Sequence, residues 1–234
     1  LNARDLYRAG KLDAAIESLS RRLREDPTDV RSRTFLFELL CFAGELDRAE
    51  RQLDVLAGES DEADMGAWMY RSALHAERTR QEMFENGTFP SSPPPSPPSG
   101  TLNGERFERL EDVDSRIGAR LEAFAGGEYT WLPLVHLASI EMDPPKRLRD
   151  LFWAPARVVG GAALKDFELG EVLLPAIAAQ SSGHEDGDVR LGRATDAGEG
   201  PDGTVIPFGP KILVVDGEPV PLLEVRELSI DGPS

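Results

Sequence analysis

The sequence is poor in cysteine, poor in cations and without any long apolar run, and each shortage excludes something. Cys41 is the one cysteine, so no disulfide can form within the chain. It sits in Leu39-Leu40-Cys41-Phe42-Ala43, an apolar helical run, where a small buried residue is expected rather than a nucleophile. Lys and Arg number 26 against 42 Asp and Glu, a net charge of −16. Phosphate-backbone binding needs a basic face, so no nucleic acid partner is expected. The same imbalance argues against anionic membranes, and no apolar run approaches the roughly 20 residues of a membrane span. Leu1-Asn2-Ala3-Arg4-Asp5 has neither the apolar stretch nor the cleavage pattern of a secretory leader. A reducing, cytoplasmic location is the expectation.

Histidine is scarce too. His75, His136 and His184 lie far apart, without the spacing of a zinc site. There is no phosphate-binding glycine loop, dinucleotide fingerprint or nucleophile elbow. His184-Glu185-Asp186-Gly187-Asp188 has ligand-type residues but not the spacing of a calcium loop. No catalytic, cofactor-binding or metal-ligating residue is therefore assigned, and the chain reads as non-enzymatic. A small hydrolase or transferase at a domain junction stands as the rival from another class.

What is present begins with a repeat. Ala9-Gly10-Lys11-Leu12-Asp13-Ala14-Ala15 recurs as Ala43-Gly44-Glu45-Leu46-Asp47-Arg48-Ala49, and the step from Gly10 to Gly44 is 34 residues, the tetratricopeptide period. Each Gly supplies a left-handed cap, and Asp26-Pro27-Thr28-Asp29 closes the first unit. The pattern predicts helices at about 3–9, 12–25, 29–43, 46–57 and 62–85. Leu12, Ala15, Ile16, Leu19 and Leu23 form one apolar stripe; Leu46, Ala49, Leu53 and Leu56 form another. Solenoids of this kind leave a concave face lined by the first helix of each pair, suited to a peptide or helix. The residues expected there are Arg31, Thr34, Glu38 and Phe42, then Trp68, Arg71 or Ser72, and His75.

Residues 86–103 break the composition with a Pro/Ser tract that cannot be helical; an extended, exposed linker is expected. Val113, Ile117, Leu121 and Phe124 recur at helical spacing and predict a helix over 112–125, ended by Gly126-Gly127. Beyond it, strands are expected at Tyr129–Leu134, Leu137–Met142, Arg157–Val159, Gly170–Leu174, Arg190–Arg193, Lys211–Val215 and Leu222–Leu228. Ser181–Asp188 and Gly198–Gly203 read as loops. The fold class is α+β in two parts: a tetratricopeptide-like α-α superhelix over 1–85, a linker over 86–103, and over 104–234 a connecting helix with a small β-rich, barrel-like domain. Arg147-Leu148-Arg149-Asp150 and Arg190-Leu191-Gly192-Arg193 are basic spots in an acidic neighbourhood. Salt bridges across strands or across the domain junction are expected of them, with a partner contact as the alternative.

Val113-Asp114-Ser115-Arg116-Ile117-Gly118, Tyr129-Thr130-Trp131-Leu132-Pro133-Leu134, the run from Pro144 to Ala156, Asp188 to Asp196, and Leu222 to Leu228 follow one another in an order that resembles the ImpE/TagJ family of type VI secretion accessory proteins. The resemblance implies a cytoplasmic adaptor without catalytic residues or cofactor. It also implies a protein partner, the N-terminal helix of the small sheath subunit (TssB-like), near the recycling ATPase ClpV. Two departures stand out. Many relatives carry a further helical hairpin where this chain has the Pro/Ser tract, and a Trp where it has Ala197. A repeat adaptor for some other complex is the remaining alternative.

Overall fold

The computed structural model describes residues 2–57, 61–93, 95–164 and 170–232. Its helical half comprises α1 (Ala3–Arg8), α2 (Leu12–Glu25), α3 (Val30–Phe42), α4 (Leu46–Leu56) and α5 (Asp61–Asn86). The repeat glycines do what their spacing predicts. Gly10 and Gly44 have φ of 70° and 72°. Beside them the Lys11 N–H donates to Leu6 O at 2.9 Å and the Glu45 N–H to Leu40 O at 3.0 Å. These are matching Schellman caps. Asp29 starts α3 by accepting from the Ser32 N–H at 3.0 Å.

The stripes of α2 and α4 are buried on one side, as amphipathic helices require. α3 is different: every residue from Leu36 to Phe42 is buried. A helix buried all round needs cover on two sides. α2 and α4 supply one cover; Phe152, Trp153 and Ile177 from the C-terminal half share the same core and supply the other.

The C-terminal half contains β1 (Gly100–Leu102), β2 (Glu105–Phe107), β3 (Leu110–Asp112), β4 (Arg120–Ala125), β5 (Glu128–Pro133), β6 (Leu137–Met142), β7 (Trp153–Gly160) and β8 (Gly170–Pro175). After the short helix α6 (Gly187–Arg190) come β9 (Asp196–Glu199), β10 (Val205–Phe208), β11 (Ile212–Val215), β12 (Glu218–Pro221) and β13 (Glu227–Ile230). Eight strands make one sheet in the order β2-β1-β13-β6-β7-β8-β4-β5; β12-β11-β3 make a second, and β9-β10 a hairpin. All pairings are antiparallel.

The large sheet is open. Its edges, β2 and β5, do not pair with each other, so the sheet does not close as the expected barrel would. The reason lies in what covers it. On β4, Phe124 packs into the helical core while Leu121 and Ala123 pack into a core shared with Leu110 and Leu213 of the small sheet. At β4 the helices cover one face and the small sheet the other, so this part is buried without the sheet curling onto itself, while Pro155, Arg157 and Val159 on β7 remain exposed.

Several other expectations are corrected. No helix spans 112–125. The Asp114 N–H donates to Asp112 Oδ1 at 2.8 Å and the Arg116 N–H to Asp114 Oδ1 at 3.1 Å. These two side-chain-to-backbone turns compete with helix formation, and β4 follows. Its apolar residues on both faces imitate a helical period. Arg190–Arg193 is not a strand: Asp186 caps α6 through the Asp188 N–H, and Gly192 at φ 68° ends the turn. Leu222–Glu224 is a 3-10 turn after Pro221, so only the end of Leu222–Leu228 is extended. β1, β2, β3, β9, β10 and β12 were unforeseen; β1 falls inside the segment expected as a linker, and β9 takes in Gly198 and Glu199, both expected in a loop. Upstream of β1, Ser91, Ser92 and Pro93 are exposed. Phe89 stacks on Trp131 at 5.9 Å, Arg120 Nη2 donates to Ser92 O at 2.8 Å, and Pro98 is buried.

Candidate functional site

The residues expected in the groove fall into two groups. Arg31, Thr34 and Glu38 lie along α3 and line an open cleft of about 650 Å³. Its opposite wall is not another repeat but the segment Pro145–Leu148 with Leu151, and its end is closed by Arg4, Tyr7 and Arg8 of α1. The next position on that face, Phe42, is 1 % exposed and meets the Phe152 ring edge-on at 5.1 Å. It has no surface to offer a partner, because the chain's own C-terminal half occupies that part of the groove.

The second group is on α5. Trp68 is 68 % exposed, with Met65 and Met69 beside it and Val55 on α4, all exposed. Arg71 pairs with Asp54 at 2.9 Å, and His75 is exposed one turn further on. What this surface presents is apolar area with a charged border.

The cleft's chemistry was only partly anticipated. Arg4, Arg8, Lys146 and Arg147 join Arg31 around an apolar floor of Tyr7, Phe35, Leu148 and Leu151. The signal was the run Arg147-Leu148-Arg149-Asp150, which the sequence showed as a basic spot but could not place opposite α3. Glu38 is the carboxylate in the lining. Burial pushes its pKa up, against the pull of Arg149, whose Nη1 lies 3.7 Å away. The Arg149 guanidinium also lies over the Tyr70 ring at 4.9 Å.

Behind the cleft the two halves are joined by buried charge. Arg80 on α5 donates through Nε to Glu122 Oε1 on β4 at 2.8 Å, and through Nη1 to Glu77 at 3.2 Å. Lys211 bonds the same Glu122 and pairs with Asp112 at 2.6 Å. The Tyr129 hydroxyl donates to Glu122 at 2.6 Å and accepts from the Trp131 indole. Burial works against the Glu122 charge, but Arg80 and Lys211 outweigh it and hold its pKa down. Glu77 and Asp112 are raised by burial, Asp112 to about 6. Every charge in this cluster has a partner, as buried ions require.

The two basic spots also serve the junction. Arg190 pairs with Asp13 at 2.9 Å, Arg193 donates to Tyr7 O at 2.8 Å and covers the Tyr7 ring at 4.2 Å, and Arg149 faces Glu38. His184 faces Asp196 at 3.0 Å and accepts from the Asp186 N–H through Nδ1. Among the described residues no cluster of His, Cys, Asp and Glu is placed to hold a metal, and no helix is long and apolar enough to cross a membrane.

Set beside known proteins, the chain matches two family models: ImpE protein over residues 104–229 and tetratricopeptide repeat over residues 6–67. A relative from Pseudomonas aeruginosa, the type VI secretion system accessory component TagJ, is 31 % identical over 272 aligned positions, covering 98 % of this chain and 91 % of that one. The crystal structure of protein VPA1032 from Vibrio parahaemolyticus superposes with a TM-score of 0.84 at 19 % identity, over 99 % of this chain and 98 % of the other. That likeness shows the fold. The first two findings fix the family, and a tetratricopeptide region followed by an ImpE domain along nearly the full length of TagJ makes this chain a member of the ImpE family.

Proposed function

We propose that this protein is a non-enzymatic, cytoplasmic adaptor of a type VI secretion system. Its partner is an amphipathic helix, the N-terminal helix of the small, TssB-like sheath subunit. In that role it modulates sheath assembly or recycling near ClpV. The family relation to the accessory component TagJ supports the system. The observation that carries the binding role is the exposed apolar surface of Met65, Trp68, Met69 and Val55. A soluble domain gains nothing by holding a Trp in water, and contiguous exposed apolar surface marks interaction sites. Aromatic anchors dominate such interfaces, so Trp68 is the proposed anchor, with Arg71 and His75 at its border. The net charge of −16 favours a helix with basic flanks.

Titration of the N-terminal sheath-subunit peptide against wild type and Trp68→Ala, with circular dichroism as folding control, tests this. Binding should weaken at least about tenfold in the variant, chiefly through the off-rate. Absence of binding by wild type at high micromolar peptide would remove the sheath-helix role. Binding unchanged by Trp68→Ala would move the site off α5.

A further inference from the structure

The cleft between α3 and the 145–151 segment has no place in the α5 reading and carries a chemistry of its own. In a chain with 16 more acids than bases, about half of the arginines pair with a carboxylate among the described residues. Arg71, Arg78, Arg80, Arg106, Arg109, Arg116, Arg190 and Arg193 all do. Around this cleft four of the others, Arg4, Arg8, Arg31 and Arg147, converge with no carboxylate of the described residues within 4 Å of their guanidiniums. Lys146 has Asp143 at 2.5 Å, and Glu38 is already engaged by Arg149. The cleft continues past Arg4, Arg31 and Phe35 into a second hollow of about 750 Å³ whose Arg21 and Arg22 are balanced by Glu25 and Asp29, the last of which holds Arg22, so the excess of positive charge lies in the first cleft. The result is a cationic trough with an apolar floor on an otherwise acidic molecule.

We infer that this trough is a second docking site, and that its occupant is an acidic amphipathic segment of a protein partner. The apolar side of such a segment would lie on Tyr7, Phe35, Leu148 and Leu151, which are half-buried and open to the cleft. Its carboxylates would meet the free guanidiniums, which are shaped for bidentate carboxylate pairing. A nucleic acid is the poorer fit: the net charge of −16 repels a polyanion at distance, and the aromatic floor calls for apolar side chains. The site exists only where the two halves meet, since α1 and α3 form one wall and residues 145–151 the other. It therefore reports whether the junction is intact.

The probe is a fluorescein-labelled helical peptide with leucines along one face and glutamates on both flanks, read by anisotropy, with a glutamine-for-glutamate copy as control. Wild type should bind the acidic peptide and hold the glutamine copy about tenfold more weakly or worse. Added salt should weaken the acidic peptide most. Arg8→Glu with Arg147→Glu, both at exposed positions, should abolish the preference while circular dichroism stays unchanged. Trp68→Ala should leave the binding as it is, which separates this site from the α5 surface. Equal affinity for the two peptides, or no binding of either, overturns the proposal. So does displacement by a single-stranded oligonucleotide at lower concentration than by unlabelled peptide, which would make the trough a nucleic-acid surface. Self-association lost in the double variant, without peptide binding, would make a second copy the occupant and equally overturn it.

Discussion

The Trp153 indole on β7 donates through Nε1 to Glu77 Oε2 on α5 at 3.2 Å, joining residues 76 positions apart at the centre of the molecule. The ring also stacks on Tyr70 at 6.2 Å and meets Phe152 edge-on at 4.9 Å. Helices and sheet thus share one aromatic contact and one buried carboxylate. Removing the indole strands part of the Glu77 charge and opens a cavity in both halves at once.

Trp153→Ala should therefore cost about 3–5 kcal/mol, and the loss should register on both sides of the junction. Urea unfolding followed by helical circular dichroism and by near-ultraviolet signal should give coincident midpoints in wild type. Helical signal surviving at wild-type stability in the variant would show that the helices do not depend on this contact.

Asp112 supplies a pH dependence. Its carboxyl is pushed up to about 6, first by burial, with Lys211 pulling the other way. A raised carboxyl pKa favours the folded state while the group is protonated. That contribution is complete below the unfolded value near 3.8 and is lost as pH rises through about 6. The stability of wild type minus that of Asp112→Asn should thus fall by roughly 1–3 kcal/mol from about pH 4 to about pH 7.5. Urea titrations of both proteins across that range check the sign; a difference that grows with pH would contradict it.

Gly187 opens α6 where the backbone of the helical half comes closest. A Cβ there would lie 1.9 Å from Gly10 O. Gly187→Ala should force the two halves apart and destabilise the protein by about 1–3 kcal/mol, the usual scale of overpacking. Gly183→Ala, a few residues earlier and with open space around it, is the control and should change little. Equal midpoints for the two variants would deny the close approach.

The Pro/Ser tract should be cut first by a broad-specificity protease, within 90–97 and not after Pro98, because Ser91, Ser92 and Pro93 are exposed while Pro98 and Gly100 are buried. Mass spectrometry of the fragments locates the cut. Cleavage beginning inside β1 would show that the strand opens before the tract does.

The helical half was legible because its signals are local. A glycine cap, an aspartate cap and a one-sided stripe each declare themselves within a turn, and the step from Gly10 to Gly44 declares the repeat. The sheet was harder where strands are buried on both faces: Leu121, Glu122, Ala123 and Phe124 carry no alternation to read. Of the groove residues, Arg31 and Thr34 stand in a real cleft and Trp68 on a real surface. Phe42 misled because the repeat pattern says which side of α3 is concave, not that residues from Phe152 onward will fill it. The run Leu36 to Phe42, apolar but for Glu38, held the clue, since so apolar a helix in so short a solenoid must have cover from elsewhere in the chain.

The two repeat glycines do more than turn the chain. A Cβ on Gly10 would strike the Asp188 carboxyl at 2.8 Å, and one on Gly44 would strike the Ser182 side chain at the same distance. The segment from Ser182 to Asp188 thus rests on both caps, as a key rests on two wards of a lock. The separation between those notches is set by one complete repeat, so a residue gained or lost between them would misalign the second half on the first. Lengthening after α5 leaves both notches where they are. In this chain, then, an insertion after α5 should be far better tolerated than one between Gly10 and Gly44.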